Sequence, residues 1–261
     1  MTCKNCEARL RTDFLYCPAC GAKVVRNRIT IKNLWVDFLE RYFNLDNTFI
    51  KTFIHLFSKP EVVIEGYLQG IRRKYLNPIS YVGIALTLSG LLMFIMSKSL
   101  DSIDFGFLES EAQSVYQEKL MGFISDYQAL IFILYIPLTA ISGWLCFDEK
   151  KYNFAERIII FTYALAHYSL LFFIPSLPIL LFAPEIYMSF SLVSVLVMMV
   201  YAGYVIVRIS NSEGVSLIAR LLLFYMIFGI LYFLSSLLIP IIMLLIGEIS
   251  LQDLVPPPPQ N

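Results

Sequence analysis

Residues 158–182 read IIIFTYALAHYSLLFFIPSLPILLF, a run without a single charged side chain. A helix needs about 20 apolar residues to cross the hydrocarbon core of a bilayer. Four further segments have the same character, so the chain is expected to be an all-α membrane protein. The five transmembrane helices are predicted at residues 78–97, 128–147, 158–182, 186–207 and 221–246. The composition agrees with this class, because 58% of the 261 residues are hydrophobic and only 15% are charged.

Basic residues lie almost entirely on one side of the predicted spans. Thirteen of the twenty Lys and Arg residues precede Pro78, and five flank the connections between spans two and three and between spans four and five. Only Lys98 and Lys119 fall on the other side. The positive-inside rule therefore predicts a multi-pass protein of the bacterial inner membrane with a cytoplasmic N-terminus. The C-terminus, a proline-rich tail over residues 248–261, is then extracytoplasmic.

Two Cys-x-x-Cys pairs stand at the start of the chain. Two intervening residues let one tight turn supply two adjacent thiolates, and four thiolates make the closed tetrahedral cage of a structural zinc site. Residues 1–24 therefore predict a zinc ribbon, which would owe its folding energy to the metal. An iron site or a pair of redox motifs are the rival interpretations. The predicted metal ligands are Cys3, Cys6, Cys17 and Cys20.

The residues around this ribbon bear on its stability and its partners. Gly21 follows the second pair, where a turn of this kind favours a positive φ, but Glu7 occupies the equivalent position after the first. The first thirty residues are also basic. A phosphate-binding ribbon would have this charge, but so would any cytoplasmic segment next to a membrane, and we do not expect nucleic-acid binding.

Residues 25–77 are predicted to form short amphipathic helices at the cytoplasmic surface. Apolar side chains recur at helical spacing over residues 31–43, and a second, very apolar helix follows around residues 49–57. Ser58-Lys-Pro-Glu61 has the form of a capping box that opens a third helix. These helices could lie on the bilayer or pack on one another and on the span ends as ordinary core. The candidates for lipid contact are Trp35, Arg72, Arg73 and Lys74.

Inside the spans, His167 is the only histidine at membrane depth and a candidate intramembrane polar site. A tyrosine hydroxyl could equally satisfy a neutral imidazole, and this structural role is the one we favour. Prolines fall within three of the spans and predict either kinks or the broken helices of transporters. Cys146 is isolated in the second span, where it is either a palmitoylation site or a buried thiol. The prolines are Pro137, Pro175, Pro178 and Pro240.

The order of parts supports a resemblance. After the four cysteines come FNLDNTF at 43–49, KPEVVIEGYLQG at 59–70 and RRKYLNP at 72–78. This order resembles an uncharacterised bacterial family of zinc-ribbon integral membrane proteins, known only as a domain of unknown function. The resemblance covers residues 3–81 in motif detail and implies no catalytic residue and no substrate. By span count, the body also looks like the five-span Yip-type fold, which is an analogy of fold and not of function.

The sequence therefore predicts a non-enzymatic docking, adaptor or sensor protein with a structural zinc ion. Its partners would be membrane lipids and a protein at the cytoplasmic face, and a homo-oligomer is compatible with this function. A small-molecule or lipid transporter or channel regulated by the ribbon is the alternative. A polar, water-accessible cavity at His167 and the Pro175–Pro178 segment would favour transport, whereas a filled interior would favour the adaptor.

Overall fold

The computed structural model describes residues 2–22, 24, 48–99, 103, 114–147, 150–210 and 213–250. The chain divides into two compact units, residues 1–43 and residues 44–261. The first unit, called the head below, has a small core of Cys3, Leu10 and Cys17. Three of the sequence predictions lie outside the described residues: the helix over residues 31–43, the lipid-contacting Trp35 and residues 251–261 of the tail.

The second unit is helical wherever the structure describes regular secondary structure. Its five helices of 19 or more residues are long and apolar enough to cross a membrane, so the chain is a multi-pass membrane protein. The predicted number of spans is therefore confirmed. The helices are α1 Thr48–Ser58, α2 Pro60–Leu68, α3 Pro78–Lys98, α4 Ser114–Asp126, α5 Gln128–Cys146, α6 Phe154–Phe182, α7 Tyr187–Ile209 and α8 Gly214–Ile246.

Two spans begin earlier than the sequence predicts. Helix α6 starts at Phe154 because Asn153 and Glu156 form a capping box in which each side chain binds the other's backbone N–H, at 2.9 and 2.8 Å. Helix α8 starts at Gly214, before Arg220. Arg157 and Arg220, which the sequence predicts to flank the spans, therefore lie within the first two turns of α6 and α8.

Helix α6 lies at the centre of this unit. It packs on α3, α5 and α7, and it also contacts α1 and α2. Helix α8 packs mainly along α5, and only Phe224 and Met243 of its side chains are buried. The spans run without a break through all four internal prolines, which are Pro137, Pro175, Pro178 and Pro240. Continuous helices agree with the kink interpretation of these prolines.

Helices α1 and α2 pack against the spans. Leu56, Val63 and Ile64 are fully buried in the same core as the residues of α3, α6 and α7. Pro60 occupies the first turn of α2 as expected, but the predicted capping box is wrong. Ser58 Oγ donates to the carbonyl oxygen of Ile54, 2.9 Å away, and Lys59 is the N-cap residue. Ser58 therefore satisfies an acceptor of α1 instead of a donor of α2.

Candidate metal centre and buried histidine cluster

Each Cys-x-x-Cys pair of the head lies in a tight turn, and the two turns have the same hydrogen bonds. Cys3 N donates to Ala8 O at 2.9 Å, and Cys17 N donates to Ala22 O at 2.8 Å. The residue after each pair donates back to the first cysteine, from Glu7 N to Cys3 O and from Gly21 N to Cys17 O. Both of these residues have positive φ, at 60° and 70°. The head is thus built from two equivalent turns, although only one has the glycine that this conformation favours.

The two turns bring the four cysteine sulfur atoms together. All four lie within 4.8 Å of one another, and Cys3–Cys20 and Cys6–Cys17 are 3.7 and 3.6 Å apart. A tetrahedral site with Zn–S bonds of about 2.3 Å places its sulfur atoms about 3.8 Å apart. All four cysteines are free. These four residues could therefore hold a metal ion in a closed four-sulfur site.

The hydrogen bonds of the turns prepare one thiol for deprotonation. The Asn5 side chain, followed by the Ala22 backbone N–H, lowers the pKa of Cys20 to about 6. The backbone of Ala8 lowers the pKa of Cys6, but the hydrogen bond with Cys20, desolvation and the other two thiols outweigh it and raise this pKa to about 12. Neighbouring thiolates repel one another, and a bound divalent cation is what would let all four sulfurs ionise.

His167 is completely buried between α1, α3 and α7. Its Nδ1 lies 2.7 Å from the Tyr81 hydroxyl, and its ring contacts Phe53 and Tyr201 with centroids 4.8 and 5.2 Å away. Among the described residues, its Nε2 has no hydrogen-bond partner. The partner is thus a tyrosine, as the sequence indicated, and it lies in a different span, α3. His167 does not line the apolar groove described below.

Buried hydroxyl groups join the backbone of α1 and of the α2–α3 connection to the spans. Tyr163 donates to Leu76 O at 2.7 Å, and Tyr201 donates to Leu56 O at 3.1 Å. Leu76 N in turn donates to Thr52 Oγ1 at 2.9 Å. Because these carbonyl and amide groups are buried, each hydrogen bond satisfies a group that would otherwise be costly to desolvate.

Residues 46–90 match a family model described as a protein of unknown function (DUF3667). No curated protein and no solved structure matches the chain. The matched segment contains α1, α2 and the first part of α3. It therefore includes Tyr81 and the carbonyl oxygens of Leu76 and Leu56, which accept from Tyr163 and Tyr201. The expected likeness to an uncharacterised domain family is confirmed for this segment.

Ion pairs join α2 to the ends of the spans. Lys150 Nζ lies 2.5 Å from Glu65 Oε1, and Arg208 forms a bidentate pair with Glu61 at 2.5 and 3.0 Å. Partial burial opposes ionisation of Glu61, but the hydrogen bond from Arg208 keeps the pKa of this carboxyl below its usual value. These pairs tie the matched segment to the beginning of α6 and the end of α7.

Arg157 is a residue that the sequence did not single out. Its side chain is buried and donates to the carbonyl oxygens of Gly143 and Phe147, at 3.2 and 2.6 Å, at the end of α5. Arg220 donates to Cys146 O at the same end, 3.2 Å away. A cation at a helix C-terminus is favourable because it meets unpaired carbonyls and the negative end of the helix dipole. The only available signal was their position immediately before two predicted span starts, at residues 158 and 221.

The predicted lipid-contacting residues that the structure describes lie in the α2–α3 connection. Arg72, Arg73 and Lys74 are all exposed. Arg72 stacks over the Tyr67 ring at 5.6 Å, and Lys74 lies 5.5 Å from the centre of the Tyr75 ring. Cys146, by contrast, is buried. The role of the three basic residues in lipid binding stays a prediction.

Proposed function

We propose that this membrane protein is a docking protein whose head holds one structural zinc ion and presents an apolar surface to a protein partner. Exposed apolar side chains on the head carry this proposal. Leu15 and Tyr16 are 70% and 50% exposed, next to the cysteine turns that fix their backbone. The two side chains are adjacent in the chain, so together they form an apolar surface of the kind that lies at the centre of protein interfaces.

The assignment of zinc follows from the donor set. Four cysteine sulfurs in a closed arrangement favour zinc, and such a site has no open position for a substrate. The metal would therefore stabilise the head and take no part in catalysis. Bound by four thiolates, it would fix the turns at Cys3–Cys6 and Cys17–Cys20 and with them the docking surface.

The orientation of the protein completes this proposal. The basic residues between the spans and the need of the thiols for a reducing compartment both favour a cytoplasmic N-terminus in a bacterial inner membrane. The head would then meet its partner in the cytoplasm. Arg72, Arg73 and Lys74 would contact anionic lipid head groups at the same face. Nucleic acid is not part of this proposal, and self-association is compatible with it.

We infer an anchoring role for the membrane body, without enzymatic activity. The transporter alternative needs a polar, water-accessible cavity at His167 and the Pro175–Pro178 segment. The His167 ring is surrounded by Phe53, Tyr81 and Tyr201, and the groove beside Pro175 is lined mostly by apolar side chains. The likeness to Yip-type membrane proteins, which rests on span count, agrees with a docking role only as an analogy.

Site-specific photocrosslinking in living cells tests the docking surface. A photoreactive amino acid at Leu15 should yield one discrete crosslinked protein, because this side chain would lie in the interface. The same amino acid at Ala19, which is also exposed but lies within the second turn, is the matched control. Products that are equally abundant from Leu15 and Ala19, or no product from Leu15, would refute this docking surface.

A further inference from the structure

Four of the spans enclose an apolar groove with a volume of about 360 Å³. It lies between α5, α6, α7 and α8, because α8 packs along α5 and stands away from most of α7. Its volume is in the range of about 300–1,000 Å³ that is usual for ligand sites. Protein interiors rarely leave voids much larger than a water molecule, so a groove of this size calls for an occupant.

The chemistry of the lining decides the class of occupant. The groove is lined by six side chains with hydroxyl groups, and four of these hydroxyls donate to backbone carbonyl oxygens of the protein. Tyr168 donates to Ser194 O and Tyr225 to Met199 O, both at 2.7–2.8 Å, and Thr139 donates to carbonyls of its own helix. Tyr201 donates to Leu56 O at 3.1 Å, and the rings of Tyr135 and Tyr232 stack on each other with centroids 5.6 Å apart. The groove therefore offers mainly aromatic and aliphatic surface, because most of its hydroxyls are already satisfied within the protein.

The position of the groove decides where its occupant comes from. Lining residues such as Val195 and Gly229 are exposed on the surface of the spans, so the groove is continuous with the surface that meets lipid. The hydrocarbon chains of the bilayer are the apolar molecules in contact with that surface. An apolar cavity is also a poor site for water, which needs two to four polar partners.

We propose that this groove binds one hydrocarbon chain of a membrane lipid. The chain would fill the space between α7 and α8 and contact the rings of Phe161, Phe224 and Phe228. It would thereby hold α8, which buries only two of its own side chains, against the rest of the bundle. This inference concerns the membrane body alone and does not depend on the proposed docking function of the head.

Gly229 provides a variant that fills the groove without damaging the fold. Gly229 lines the groove, and a Cβ atom there would meet no atom within 4 Å, so Gly229→Trp adds a large side chain at the wall of the groove. Gly83 of α3 is the matched control, because it is also exposed, helical and without an atom within 4 Å of a Cβ, but it does not line the groove. If the tryptophan ring displaces the lipid chain over a length of two methylene groups, the lipid should bind roughly tenfold more weakly.

Native mass spectrometry of the full-length protein, delipidated in mild detergent and titrated with phospholipid, tests the proposal. We expect one phospholipid to bind to the wild type and to Gly83→Trp, and roughly tenfold more weakly to Gly229→Trp. Phosphatidylglycerol and phosphatidylcholine with the same chains should bind within about twofold of each other, because the groove recognises the chain. Equal binding to both variants would overturn the proposal. Two other results would also overturn it. One is displacement of the bound phospholipid by soluble glycerophosphoglycerol, a head group without hydrocarbon chains. The other is a lipid-free dimer of the protein in which a second copy fills the groove.

Discussion

The hydrogen bond from Tyr163 to Leu76 allows a quantitative prediction about the segment that matches the family model. Both residues are almost completely buried, at 0% and 1% exposure, and the hydroxyl lies 2.7 Å from the carbonyl oxygen. Tyr163→Phe removes this donor without changing the ring. A buried acceptor left without its partner costs about 1–3 kcal/mol. At about 2 kcal/mol, the melting temperature of a unit of this size should fall by roughly 4–8 °C.

Cys146 provides the assay for this prediction. With the four head cysteines changed to serine, it is the only thiol in the chain, and it is buried. A dye that fluoresces on reaction with thiols should therefore report the unfolding of the membrane body on heating. Tyr204→Phe is the matched control, because Tyr204 donates to Ser58 O at 3.0 Å in an exposed position. A Tyr163→Phe melting curve no lower than that of the control would refute the energetic role of the buried hydroxyl.

Three further substitutions test close contacts and backbone strain. Gly143→Ala would place a Cβ atom 2.6 Å from Phe161 Cε2, so we expect a loss of about 1–3 kcal/mol in a thermal melt, whereas Gly83→Ala should cost nothing. A Gly143→Ala protein as stable as the wild type would show that the ring can move away. Glu7→Gly should stabilise the metal-bound head by up to about 1 kcal/mol, because its φ of 60° suits glycine. Tighter retention of zinc against a chelator would confirm this, and weaker retention would contradict it. Gly21→Ala should weaken retention for the same reason.

The five spans could be predicted because long uncharged runs have few alternatives to crossing a membrane. Two of their starts could not, because charge alone does not mark the start of a helix. Arg157 and Arg220 lie inside α6 and α8, where they donate to carbonyls at the end of α5. Whether a charged residue flanks a helix or lies within it depends on a partner that is distant in sequence, and periodicity carries no information about that partner.

Of the two candidate sites, the cysteine cluster could be predicted from the sequence, but the surroundings of His167 could not. The spacing of the cysteines specifies two local turns, and the structure brings the four sulfurs together as the spacing indicates. The surroundings of His167 depend instead on the packing of several helices. Tyr81 is 86 residues away from it in the chain, and the nearby tyrosine Tyr163 is committed to Leu76. Single-sequence patterns indicate that such a histidine needs a partner but not which residue supplies it.

The metal content of the full-length protein tests the account most directly. We predict about one zinc ion per chain after purification, because four thiolates complete the coordination of one ion. The double substitution of Cys3 and Cys17 by serine should remove this zinc and the amide-exchange protection of the head, whereas Cys146→Ser should change neither. Metal-free protein whose head remains protected from amide exchange would contradict the assignment of a structural zinc site.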